Sequence, residues 1–387
     1  MKKPEIRLVD PKEDPRLAEE IWKSLDGNGS ASYFLSWGWM ENWLEFAKER
    51  AITLVSIEEG DLPTAAFFLG RSSVTRHRFF RSESCFLNTT GVSACDALCM
   101  EYNAVFGKSF SCSEFLGILE NLPFSWDEIH LPGLDAGCFP GNIVNESISP
   151  YRWVIEREQP APYVDLNAVR EGGYMPLLSS NTRAQIRRAQ NALGSGCPVR
   201  VRAAESVSSA VDIYCRMIRY HQRSWNSRGL PGAFSSEFFR LFHHSLITRR
   251  FGKGEIQLLE FSAGDRVLGC LYSFVYGGRV HFYQSGFNDE IDRKLKPGYL
   301  CHTEAVKYNA ELGHSVYDFL AGEEHYKKSL STGQNYLVWA KIQKPRIKFR
   351  VEKNLVGLAR SIAELRRGNL QEKQKSSFSL SFYWISD

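Results

Sequence analysis

The 387 residues are enough for two domains of ordinary size, and a composition 43% hydrophobic and 24% charged is that of a folded globular protein rather than a disordered or fibrous one. No stretch approaches the ~18 consecutive apolar residues of a membrane helix, and the opening MKKPEIRLVDPKEDPRL lacks the apolar centre of a secretory signal. Nine cysteines, an odd number without a CxxC pair, point to a reduced, cytoplasmic protein without structural zinc. The net charge of +4 is uneven: from Lys341 to Lys375 eleven Lys or Arg face three Glu, so the remaining residues sum to −4. A basic segment of that kind suits tRNA, an acidic acyl carrier protein or a membrane surface, and equally a solvated amphipathic helix.

In chain order, residues 34–70 read as an aromatic-rich amphipathic helix, the strand ITLVSI, a turn at Gly60-Asp61 and a second apolar strand. Residues 234–278 repeat that order, with the strand IQLLEF and a turn at Gly264-Asp265. Ile52 and Ile256, and Gly60 and Gly264, are each 204 residues apart, which suggests a duplicated α/β unit. The first copy continues through a helix at SFSCSEFLGILENL and a strand at WDEIHLPGL to residue 150. RWVIERE and PYVDL then read as a strand and a link.

The second copy is fuller. SSNTRAQIRRAQ reads as a helix, PVRVRAA as a strand, and SVSSAVDIYCRMIRYHQRSWNSRG as a long helix closed by Gly229. Another helix leads to strands at 255–262, 267–276 and 279–286. PGYLCHTEAVKYNAELG is a helix with Pro in its first turn, SVYDFL a strand, EEHYKKSL a short helix and NYLVWAKI a last strand. The expected organisation is a mixed-sheet α/β fold with units at 1–150 and 151–344. A basic tail at 345–387 should be helical to about Gly368 and poorly ordered beyond it.

The order of these elements, with SSNTRAQIRRAQ, HQRSWNSRGLPGAF and YDFLAGEEHYKK, resembles the GNAT-like acetyltransferase family that includes CelD-like cellulose or exopolysaccharide biosynthesis proteins. The likeness is strongest from about 175 to 342. It extends in architecture to Fem-type peptidyltransferases, which carry two GNAT-like domains in tandem. The resemblance implies tandem acyltransferase domains, the first degenerate, moving an acyl group from acyl-CoA or acetyl-CoA to the amine or hydroxyl of a small metabolite or sugar. Fem-type relatives use aminoacyl-tRNA instead. A non-catalytic binding module on the same fold is the third reading.

For the donor's phosphates the resemblance directs attention to DRKLKPGYL. A helix N-terminus offers unpaired N–H groups, Arg293, Lys294 and Lys296 add charge, and Gly298 and Tyr299 open the helix. Of the glycines in the family pattern Gln/Arg-x-x-Gly-x-Gly/Ala, only Gly298 remains; fold position and charge favour the ligand reading over an exposed basic turn capping a core helix. His221, Trp225 and Arg228 fall at i, i+4 and i+7 on one helix face. His221 there is either a general base or a core histidine, and Arg228 either holds phosphate or carboxylate or sits at the rim. Arg183 lies near its helix start, as a contact to a large donor or as a solvated side chain.

In SVYDFL, Asp318 shares a strand face with Val316 and Leu320. A carboxylate there lines a cleft and orients or deprotonates the acceptor, or it meets a buried cation. Glu323–Lys327 and Glu324–Lys328 read as i, i+4 surface pairs. The resemblance gives Tyr326 the protonation of the departing thiolate; Lys327 is a candidate substrate contact or, like an Arg, the cation that meets Asp318. Neither a GxSxG nucleophile motif, a Walker loop nor a His/Cys/Glu set at metal spacing is present, so direct attack without metal or covalent intermediate is expected.

Overall fold

The computed structural model describes residues 5–25, 32–135, 150–193, 197–288, 290–291 and 296–357. The strands are β1 (Glu5–Val9), β2 (Ala51–Glu59), β3 (Leu62–Arg76), β4 (Phe80–Leu87), β5 (Phe106–Gly107), β6 (Glu128–Asp135), β7 (Arg152–Asp165), β8 (Val199–Ala203), β9 (Ile256–Ala263), β10 (Arg266–Tyr276), β11 (Arg279–Phe287), β12 (Val316–Asp318) and β13 (Gly333–Gln343). The helices are α1 (Pro15–Ser24), α2 (Trp37–Phe46), α3 (Ser93–Asp96), α4 (Cys112–Glu120), α5 (Leu166–Gly172), α6 (Tyr174–Leu177), α7 (Ser180–Ala192), α8 (Val207–Asn226), α9 (Glu237–Arg250), α10 (Pro297–Glu311) and α11 (His325–Leu330). All strands join one sheet in the order β1-β2-β3-β4-β6-β13-β7-β12-β11-β10-β9-β8, with β5 on β3.

The repeat in the sequence is a repeat in the sheet. Strands β1 to β4 are antiparallel and β6 joins β4 in parallel. Strands β8 to β11 are antiparallel and β12 joins β11 in parallel. The matched turns place Gly60 and Gly264 at φ 68° and 56°, where a side chain would be strained. The matched helices start on serines: Ser36 caps α2 and Ser236 caps α9. They also pack together, with Asn42 Nδ2 donating to Phe242 O at 3.1 Å and Asn42 Oδ1 accepting from Ser245 Oγ at 2.8 Å.

The halves are closed by exchanged strands. β13 lies between β6 and β7, pairing with both, while β7 pairs with β12 on its other edge. β7 is continuous through Pro160 and Pro162, where the sequence suggests a strand and a link. A strand residue points its N–H and C=O to the same edge. The carbonyls of Pro162 and Pro160 accept from Phe319 N at 2.9 Å and Gly322 N at 3.0 Å, so the N–H groups the prolines lack fall on the β12 edge, where the ladder is ending.

One face of the sheet is covered by α1, α2, α8 and α9 around Trp39, Tyr214, Phe242 and Phe274. The other carries α4 over the first half and α5, α7 and α10 over the second. Past β13, Lys344 pairs with Glu120 at 3.0 Å, and Arg346 and Lys348 pair with Asp127 at 3.3 and 2.6 Å. Residues 347–357 are helical; the rest of the tail lies outside the described residues.

Helix α8 lies directly on β11 at Gly286, where a Cβ would stand 2.1 Å from Met217 O. Gly286→Ala is therefore expected to cost about 1–3 kcal/mol in a urea melt. Gly117 in α4 has no atom within 4 Å of its Cβ position, so Gly117→Ala should add about 0.5–1 kcal/mol. A Gly286→Ala protein as stable as the parent would place α8 farther from the strand.

Candidate active site

Each half contains a parallel pair that separates partway. β4 and β6 pair through Ser84↔Glu128, Cys85↔Ile129 and Phe86↔His130. Asn103 fills the gap beyond. Its N–H donates to Gly133 O at 2.9 Å, its amide to Leu87 O at 3.0 Å and Pro132 O at 2.9 Å, and its Oδ1 accepts from Asn88 at 2.8 Å. These bonds close the first split.

Among the described residues, no chain is inserted in the second split. β11 and β12 pair through Arg279↔Val316, Val280↔Tyr317 and His281↔Asp318, then part. β11 continues along β10 to Phe287, and its other edge has no strand partner there among the described residues. β12 stops at Asp318, two residues short of the sequence expectation. Asp318 Oδ1 accepts from Leu320 N at 2.8 Å, a local turn that competes with the ladder, and Leu320 sits at φ 60°.

On the α10 side, the split is walled by Phe282, Phe319, His302 and Tyr326. His302 is stacked on Tyr326 with ring centroids 5.4 Å apart, and its Nδ1 is 3.1 Å from Tyr317 Oη. Its buried Nε2 has no hydrogen-bond partner among the described residues. Burial lowers His302 to about 3, so the ring is neutral, and burial raises the Tyr326 phenol.

At the end of β11 an open pocket of about 300 Å³ is lined by Ser224, Ser227, Arg228, Phe287, Asn288, Ile291 and Pro297. It brings the end of α8 to the start of α10. Arg228 lies 4.6 Å over the Trp225 ring, and His221 stacks on the same ring at 5.5 Å. His221 is buried and lowered by that burial. Lys296 begins α10 in the left-handed region at φ 44°, its ammonium 5.3 Å over the Tyr299 ring and bonded to Gln185. Gly298 faces the Phe287 ring, 3.4 Å from its Cβ position. Arg293 and Lys294 lie outside the described residues. Arg183 donates to Leu178 O at 2.6 Å and does not line the pocket.

On the opposite face, Asp318 meets a cation. It is fully buried and accepts from Tyr102 Oη at 2.6 Å and Arg279 at 3.0 Å. Burial raises its carboxyl against the pull of these donors. Glu101 accepts from Ala321 N at 2.6 Å, and burial pushes it up to about 7. Lys327 does not form the surface pair with Glu323. It is buried, donates to Ala321 O at 2.6 Å and pairs with Glu324 at 3.4 Å.

Arg228 thus lines the pocket and Gly298 packs on its Phe287 wall, with Tyr326 two ring contacts from Phe287 through His302. Asp318 and Lys327 belong to a second cluster, with partners Glu101, Tyr102 and Arg279 that sequence reasoning missed. Glu101 and Tyr102 come from the first half in a stretch without periodicity. His302 had a signal: it shares a helix face with Ala305 and Val306, so a buried imidazole was readable.

Residues 180–328 match the acetyltransferase (GNAT) domain family. This segment is a GNAT-type domain. No curated protein matches the chain by sequence. FemX overlays with a TM-score of 0.58 at 9% identity, over 90% of this chain and 99% of that one. A conserved protein of unknown function from Bacteroides thetaiotaomicron overlays with a TM-score of 0.51 at 9% identity, over 88% and 99%. At that identity the likeness is one of fold, and the fold is a mixed α/β sheet built from two GNAT-like halves.

Folding leaves a titration signature at Glu101. Its carboxyl is raised from 4.5 to about 7, so its stabilising contribution is complete below 4.5 and is lost as pH rises through 7. Glu101→Gln keeps an acceptor for Ala321 N–H and should lose this part of the pH slope in urea unfolding across that window. An unchanged slope would show that Glu101 titrates normally. Asp318→Ala leaves Arg279 and Tyr102 without their shared acceptor and should cost about 3–5 kcal/mol.

Proposed function

We propose that the chain transfers an acyl group from acyl-CoA, or an acyl carrier, to an amine or hydroxyl of a small metabolite or sugar. The observation that carries this reading is the split between β11 and β12, which runs toward the 300 Å³ pocket beside the start of α10. The residues present fit such a donor. Arg228, Lys296, the hydroxyls of Ser224 and Ser227, and the Gly298 N–H in the first turn of the 15-residue α10 suit phosphates. The unpaired edge of β11 offers backbone groups to an extended amide-bearing arm. His302 Nε2 supplies a buried polar atom on the wall of the split.

The acceptor's N or O attacks the thioester carbonyl, a C–N or C–O bond forms and the C–S bond breaks. Proximity and oriented N–H groups supply much of the acceleration. The acceptor's proton goes to a base, for which His221, held neutral by burial, is the candidate. The thiolate takes a proton from Tyr326, whose raised phenol keeps its proton until the sulfur leaves. Asp318, engaged by three donors, fixes the split rather than exchanging protons. The sequence likeness to CelD-like proteins favours a sugar acceptor.

Donation from aminoacyl-tRNA is the second reading, favoured by the full-length overlay on FemX. Against it, Lys344, Arg346 and Lys348 of the basic tail are paired within the chain.

Thermal shift separates the readings. Acetyl-CoA at a hundredfold excess over its Kd should stabilise by about 2.7 kcal/mol, and Arg228→Ala should remove that shift. Stabilisation by aminoacyl-tRNA alone would select the second reading; response to neither would leave a binding module. Tyr326→Phe should keep the shift and lower kcat about 10²-fold. Full turnover in that variant would remove Tyr326 from the reaction.

A further inference from the structure

Four of the twelve large apolar side chains that are exposed among the described residues lie on two adjoining elements, the β3–β4 hairpin and the helix past β13 that packs on it. Phe79, 84% exposed, tips the β3–β4 hairpin. Ile347, Val351 and Leu355, at 78%, 43% and 52%, recur every fourth residue along the helix at 347–357 and form one stripe.

This helix is fixed, not loose. Phe349 is buried beneath it, Glu352 binds Arg76 at 2.8 Å, and Lys348 binds Asp127 at 2.6 Å and Arg81 O at 2.9 Å. The same contacts hold it against the hairpin. The hairpin turn is strained: Phe79 N bonds to Arg76 O at 3.1 Å around His77 and Arg78, at φ 49° and 66°. Glycine or asparagine would relax both positions, yet the turn spends them on basic side chains and lifts a phenylalanine into solvent. Exposed Arg78, Arg81, Arg350 and Lys353 flank the four apolar groups.

A partner for this face must be anionic and must also accept aliphatic and aromatic side chains. Nucleic acid meets the first condition but offers nothing to Ile347, Val351 and Leu355. A second copy meets the second but brings like charges together. The apolar groups protrude from a hairpin tip and a helix ridge, a shape that inserts into a yielding surface rather than receiving a protein knob. We propose that residues 77–81 and 347–357 dock the protein peripherally on an anionic lipid bilayer. This proposal does not depend on the acyl-transfer reading.

The test is co-sedimentation of the full chain with phosphatidylglycerol-containing vesicles and with pure phosphatidylcholine vesicles. Binding should be about tenfold or more stronger to the anionic vesicles and fall in high salt. Phe79→Ser with Ile347→Ser should reduce it about tenfold, and so should Arg350→Glu with Lys353→Glu. Circular dichroism melts should be unchanged, since all four side chains are exposed. Leu62, 72% exposed at the far end of the 15-residue β3, is the control, and Leu62→Ser should bind normally. Equal or absent binding to the two vesicle types overturns the proposal. So does a concentration-dependent dimer dissolved by the same substitutions, or capture of tRNA or an acidic carrier protein in place of vesicles.

Discussion

The ladder between β7 and β13 holds the two halves as one molecule. It runs from Gly333↔Tyr163 to Gln343↔Arg152, and beyond it β13 pairs with β6 of the first half while β7 pairs with β12 of the second. A chain cut near residue 150 would leave β6 without β13 and expose an unpaired central edge, a poor state for any sheet. The prolines of β7 fit this demand. They sit where β12 is leaving, so the ladder to β13 is intact while the ladder to β12 stops. The same strand therefore joins the halves and allows the second split to open.

Two copies of one unit need not do the same work. In the first, Asn88 and Asn103 saturate the backbone groups freed where β4 and β6 separate, and a buried amide pair of this kind is costly to displace. In the second, among the described residues, β11 has no strand partner past His281 and the wall includes an unpaired imidazole nitrogen. This contrast supports the proposal that acyl transfer belongs to the second half and a supporting role to the first.

The sequence disclosed the repeat well because its signals are local. Glycine turns and a common offset survive in Gly60 and Gly264, Ile52 and Ile256. It disclosed the helix face of His221 and Trp225 for the same reason, residues on one helix carrying their geometry with them, whereas Arg228 lies past the end of α8 and reaches the Trp225 ring from the following turn. It did not disclose which strands exchange, because β7 and β13 pair across 170 or more residues and no pattern within either names its partner. Nor did it show Lys327 turned inward. The i, i+4 spacing allowed a surface pair, but the carbonyls of Leu320 and Ala321 compete for the ammonium only once the chain has bent at Leu320.

Asp318 joins these threads. A lone carboxylate at that depth is unfavourable, and it is tolerated because Tyr102 from the first half and Arg279 from β11 both bind it. Glu101, one residue before Tyr102, similarly reaches across to the Ala321 N–H. The bend after β12 therefore draws its support from the other half of the chain. Removing that half would strip Asp318 and Ala321 of partners even if every residue of the 180–328 domain were retained. The same oxygen pair that meets Tyr102 and Arg279 also holds the Leu320 N–H, so the charge that couples the halves is the charge that ends β12 and begins the split.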